Sequence, residues 1–121
     1  MFHSLTAVGR LGGDPSELRY TPTGTAMCQF SLAIDKGYGE NKVAMWWRVS
    51  SFGKTAEFVN QYGKKGRIAV VEGELSPDKE TGSPRIWNSK ETGEPRASYE
   101  VAASTVKFLP DGKKQEEQAE F

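Results

Sequence analysis

Apolar and polar residues alternate with a period of two along most of this chain, and one stretch breaks into helical spacing. Leu5, Ala7, Val8 and Leu11 run into Gly12-Gly13-Asp14-Pro15, the pattern of a strand over His3 to Leu11 that ends in a turn. Leu18-Arg19-Tyr20 is a short extended piece closed by Thr21-Pro22-Thr23-Gly24. From Ala26 to Asp35, Cys28, Phe30, Leu32 and Ile34 share one face while Gln29, Ser31 and Ala33 take the other, so this strand buries one side. Lys36 to Lys42 is a glycine-rich hairpin tip carrying Tyr38.

Met45 to Phe52 follows, and its two faces differ in kind. In extended backbone Trp46, Arg48, Ser50 and Phe52 point one way, and Trp47, Val49 and Ser51 the other. The first face carries two aromatics with a guanidinium between them, the chemistry on which unpaired nucleobases stack while a cation meets the phosphates. An aromatic in a strand is by itself more often a core residue. Arg48 on the same face argues for exposure, because burying an unpaired guanidinium is costly. Trp47 reads the opposite way, as a core or subunit-contact residue. Beyond Gly53 the spacing of Ala56, Phe58, Val59 and Tyr62 is helical, with Thr55 as cap and Gly63 as stop. Lys64 and Lys65 then follow a helix C-terminus, where the dipole favours cations.

Arg67 to Leu75 is rich in β-branched residues and predicts a largely buried strand, with Gly73 marking a bulge. Lys79-Glu80-Thr81-Gly82-Ser83-Pro84-Arg85 recurs eleven residues later as Lys90-Glu91-Thr92-Gly93-Glu94-Pro95-Arg96. Two copies cannot stack a core of their own, so this is a duplicated hairpin-loop segment and not a solenoid. Between the copies Arg85 and Trp87 share a face if the backbone is extended, and Trp87, in polar surroundings, is either a base-stacking residue or a loop anchor. Ser98 to Leu109 is the last strand. The order predicts an all-β fold, a five-stranded Greek-key OB barrel with one short helix between strands 3 and 4. Residues 1–110 form the barrel domain and residues 111–121 a short acidic, flexible tail.

Composition narrows the function. The 121 residues carry zero formal net charge, which argues against a protein that holds nucleic acid by bulk electrostatics alone. The balance is uneven: residues 111–121 hold two lysines against four acids, leaving 14 basic and 12 acidic residues before them. One cysteine and one histidine are too few soft ligands for a zinc site, and Cys28 reads as a small buried thiol. The chain shows no nucleophile–base pair, phosphate-cradling glycine loop or metal set, which predicts a non-enzyme without cofactors. No apolar run approaches the ~18 residues of a membrane span, and no leader precedes the first strand, so a cytoplasmic, nucleoid-associated protein is expected.

The chain resembles the bacterial-type single-stranded DNA-binding proteins. The resemblance is carried by Val8-Gly9-Arg10-Leu11-Gly12 with Asp14-Pro15, Leu18 to Ala26, Phe30-Ser31-Leu32-Ala33, Trp46-Trp47-Arg48-Val49 and Phe52-Gly53-Lys54-Thr55-Ala56-Glu57. It continues through Tyr62-Gly63-Lys64-Lys65-Gly66, Val71-Glu72-Gly73-Glu74-Leu75, Tyr99-Glu100-Val101 and Val106-Lys107-Phe108-Leu109, in order over about residues 5–109. It implies an OB fold that assembles as a homotetramer and binds single-stranded DNA without sequence preference, in replication, recombination and repair. It maps the family's stacking aromatics onto Trp46, Phe52, Tyr38 and Trp87, the first two agreeing with the face read from alternation. The chain departs from the family's usual pattern in Trp47 where a histidine is common, in a shorter loop around Tyr38, and in the duplicated loop. The tail keeps acid and a terminal Phe121 but has no proline among its last six residues.

Arg48, Arg10, Arg19, Lys54, Arg85 and Arg96 are the candidate phosphate contacts. In the tail, Phe121, Glu120 and Glu117 are the candidate docking residues for replication and repair proteins, set against a plain solvated segment. The alternative to a DNA-binding function is an OB-fold assembly or interaction subunit of a replication-restart complex.

Overall fold

The structure, a computed structural model, describes residues 1–110. Its strands are β1 (Leu5–Leu11), β2 (Arg19–Tyr20), β3 (Ala26–Lys36), β4 (Val43–Phe52), β5 (Ile68–Leu75), β6 (Ile86–Asn88), β7 (Pro95–Ala97) and β8 (Tyr99–Leu109). The helix α1 (Gly53–Tyr62) joins β4 to β5. The sheet runs β1-β5-β8-β4-β3-β2, and β1 also pairs with β3. That last pairing closes β1, β5, β8, β4 and β3 into a barrel, with β4 and β8 its one parallel pair. This is the expected OB arrangement, with the helix after the third barrel strand.

Alternation fills the barrel. From β4, Trp47, Val49 and Ser51 turn inward and are buried, against Phe30 and Leu32 of β3 and Val101 of β8. α1 adds Ala56 and Val59 to the same core. β5 differs from the expectation of a largely buried strand: only Ala69 and Val71 are buried, while Glu72 and Glu74 face water. A barrel wall has one dry face, so its strands alternate. The register shifts between Glu72 and Gly73, and a Cβ at Gly73 would collide with the Ala102 carbonyl. The bulge is therefore where the glycine predicted it.

The helix starts earlier than its sequence signal. Gly53 takes φ +62 and turns the chain directly from β4 into α1, so Phe52 occupies the cap position and Thr55 caps nothing. Gly63 does end the helix, with its N–H donating to the Val59 carbonyl at 2.8 Å. It does so at φ −74, and close approach is what requires glycine: a Cβ would lie 2.6 Å from both Val59 O and Pro15 Cγ.

The duplicated segment is duplicated in three dimensions. Asp78 N–H donates to Ser83 O and Gly82 N–H to Asp78 O; in the second copy Ser89 N–H donates to Glu94 O and Gly93 N–H to Ser89 O, all at 2.8 Å. Asp78 Oδ1 accepts from Glu80 and Thr81 N–H groups, and Ser89 Oγ from those of Glu91 and Thr92. The second turn closes the β6–β7 hairpin, a separate two-stranded sheet whose six strand residues are all exposed.

Candidate nucleic-acid interface

Strand register decides which outward side chains meet. Across β1, β3 and β4, Arg10, Ala33 and Trp46 fall in one row. The next rows are Ser31, Arg48 and Glu100, then Gln29, Ser50 and Ala102, across β3, β4 and β8. Arg19, Met27 and Phe52 form the last, across β2, β3 and β4. Trp46 is 52 % and Phe52 41 % exposed, and Arg48 between them is exposed, whereas the neighbouring Trp47 is 8 % exposed. A Cβ at Gly12 would run into the Trp46 ring, so this glycine just past β1 gives the indole its flat bed. Phe52 lies six residue steps along the strand from Trp46, about 20 Å at ~3.4 Å per residue, so the two rings serve different bases.

A groove of about 530 Å³ runs over this face, lined by Trp46, Arg48, Arg19, Gln29 and, from the hairpin, Trp87. Gln29 Nε2 donates to Ser50 Oγ at 3.0 Å, which pins the polar floor. Trp87 brings the hairpin to the groove, and Arg85 ties it to the barrel. The Arg85 guanidinium lies 4.9 Å from the centre of the Trp87 ring, and its Nε 3.5 Å from Glu100 Oε2 on β8. Arg96 is the cross-strand neighbour of Trp87. The half-exposed Arg85–Glu100 pair contributes on the order of 0–1 kcal/mol, a light tether.

The structure thus brings together Trp46, Arg48, Arg19, Trp87 and Arg85, with Phe52 farther along the same wall. Tyr38 is apart, 93 % exposed at the tip of the β3–β4 hairpin between two positive-φ glycines. Lys54 stands in the first turn of α1 and lines a different hollow with Phe58 and Lys107. Arg10 Nη1 donates to the Gly66 carbonyl at 3.0 Å. Glu117, Glu120 and Phe121 lie outside the described residues. The sequence reading passed over Glu100, the carboxylate level with Arg48, because only the β4–β8 register reveals it. It also passed over Tyr99, which is 57 % exposed.

Cys28 is fully buried, and burial pushes its thiol up from the ordinary value, with hydrogen bonds from Ser16 and Asn60 acting the other way. It is an inert core thiol. Among the described residues no three His, Cys, Asp or Glu side chains cluster as metal ligands, and no helix is long and apolar enough to cross a membrane.

Stacking rings, a guanidinium between them and a groove open to solvent can hold a strand whose bases are unpaired. Comparison with known proteins points the same way. A family model described as the single-strand binding protein family matches residues 2–109. A single-stranded DNA-binding protein of Thermotoga maritima is 37% identical over 113 residues, covering 89% of this chain and 74% of its own length. One from Neisseria meningitidis serogroup A is 33% identical over 107 residues, and the chain spans 56% of that relative's length. Single-stranded DNA-binding protein 1 of a Synechocystis strain is 30% identical over 108 residues, 83% of its length. A matched barrel from its first residues to the end of β8, together with this outer wall, places the chain in the single-strand binding protein family.

Proposed function

We propose that the chain binds and protects single-stranded DNA without sequence specificity, on the outer wall of β4 with the β6–β7 hairpin closing over it. The observation that carries this is the outward row Trp46, Arg48 and Phe52, backed by buried Trp47, Val49 and Ser51. Bases stack on Trp46, Phe52 and Trp87, with Tyr38 reached at the hairpin tip. Arg48 and Arg19 meet phosphates first, and Arg85, Arg96, Arg10 and Lys54 flank the path. Each stacked base contributes on the order of 1–3 kcal/mol, enough for tight binding at zero net charge when several act together. Base pairing hides the π faces, so duplex DNA binds poorly.

Family membership supports a binding protein without catalytic activity, associated with DNA in replication, recombination and repair at the nucleoid, and assembled as a homotetramer. The acidic composition and terminal aromatic of residues 111–121 support a tail, distinct from the barrel domain, that recruits partner proteins through Phe121, Glu120 and Glu117. The test is tryptophan fluorescence during titration with oligo-dT and with a duplex of equal length. Strong quenching by the single strand alone is expected; equal response to both contradicts the proposal.

A further inference from the structure

Beside the groove over β4 lies a second one, and the two meet at Trp46 and Ser98. Its volume is about 510 Å³, and its walls are Lys36, Val43 and Met45 on one side and Tyr99 on the other. β4 pairs with β8 only from Trp47 onward, so Val43 to Trp46 pair with β3 alone and leave a bare strand edge beside this groove. The unpaired backbone N–H and C=O groups of such an edge are ready hydrogen-bond partners. Val43 and Tyr99 are both more than half exposed. At the junction the Ser98 hydroxyl oxygen is buried without a hydrogen-bond partner, and a buried polar atom normally has one.

We propose that the single strand continues past Trp46 into this second groove, where a base stacks on Tyr99, its phosphate meets Lys36, and Ser98 Oγ bonds the nucleotide between. The inference rests on β4's outer wall being the DNA surface. Continuity supports it: Trp46 walls both grooves, so a nucleotide leaving the first enters the second without lifting off the protein. Charge supports it as well. Lys42 at the hairpin end is paired with Asp35 at 3.2 Å, whereas Lys36 has no acidic partner among the described residues. A peptide strand is a poorer fit, because the bare edge is only four residues long and strand addition relies on a longer ladder with alternating side-chain pockets.

Tyr99→Leu removes the π face and keeps apolar bulk, while Tyr99→Phe keeps the π face. Tyr99→Leu is expected to bind an oligo-dT short enough for the first groove alone as wild type does. It should bind a long oligo-dT about tenfold more weakly and cover fewer nucleotides at saturation, with Tyr99→Phe matching wild type throughout. Unchanged affinity and footprint of Tyr99→Leu on long DNA overturns the proposal. A changed mass in light scattering with DNA affinity intact also overturns it, assigning the face to a second copy of the chain. Trp46→Ala reports on the first groove separately: full binding of the short oligo-dT by that variant means the wall reading itself has failed, and the second groove falls with it.

Discussion

The barrel wall and the hairpin arm both offer a tryptophan beside arginine, yet they hold it in opposite ways. Trp46 stands on a long strand paired on both sides from its neighbour onward, over a glycine bed, with Trp47, Val49 and Ser51 locked into the core behind it. Trp87 stands on a three-residue strand in a two-stranded sheet with no buried residue, held to the barrel by Arg85 and Glu100. A two-stranded hairpin is marginal in water by itself. The wall is therefore organised before DNA arrives, whereas on the proposed binding mode the arm would lose conformational freedom on closing, which would reduce its net contribution to affinity.

The largest effect that tests this contrast concerns the residue behind the wall. Trp47→Ala opens the core and is expected to lower stability by roughly 3–5 kcal/mol in urea denaturation, while the folded fraction still binds DNA. Trp87→Ala should leave the urea midpoint unchanged; a comparable loss there would show that the arm is as core-backed as the wall.

Arg48→Ala comes next. Removing a guanidinium that meets a phosphate should reduce affinity by about 1.5–3 kcal/mol and flatten the plot of log affinity against log salt by about 0.7. An unchanged slope would take Arg48 away from the phosphates. Trp87→Ala should weaken oligo-dT binding by only about 1 kcal/mol, the low end for a stacked base, and an effect larger than that of a wall aromatic would reverse the comparison. The smallest effect is a coupling. Glu100→Gln slackens the Arg85 tether but also removes an anion level with Arg48, so its own effect on affinity is a near-cancellation. In the Glu100→Gln background, Trp87→Ala should cost about 0.5 kcal/mol less than in wild type. Additive effects would mean that the ion pair does not position the arm.

The wall was legible in the sequence because two simple constraints coincide there. A period of two sorts Trp46, Arg48 and Phe52 from Trp47 and Val49, and the cost of burying Arg48 says which set faces water. The element order likewise gave the barrel and its single helix. Glu100 was not legible, because its place beside Arg48 depends on a parallel pairing between strands about fifty residues apart. Thr55 carried a capping signal, and Gly53 overrode it by turning the chain so that the cap falls three residues earlier, at Phe52. The repeated loop was visible as Lys79 to Arg85 and Lys90 to Arg96, but each structural unit begins one residue before, at Asp78 and Ser89. Those residues differ in identity and do the same work, accepting backbone N–H groups at the start of a turn. Sequence identity misses that equivalence and hydrogen-bonding chemistry shows it.

The most direct measurement is the affinity of Trp46→Ala for oligo-dT at fixed salt, alongside its urea midpoint. An outward indole on a core-backed wall predicts a loss of about 1–3 kcal/mol in binding with the unfolding free energy from the urea curve within about 0.5 kcal/mol of wild type. Wild-type affinity, or a loss of binding that only tracks a loss of folded protein, would contradict the account.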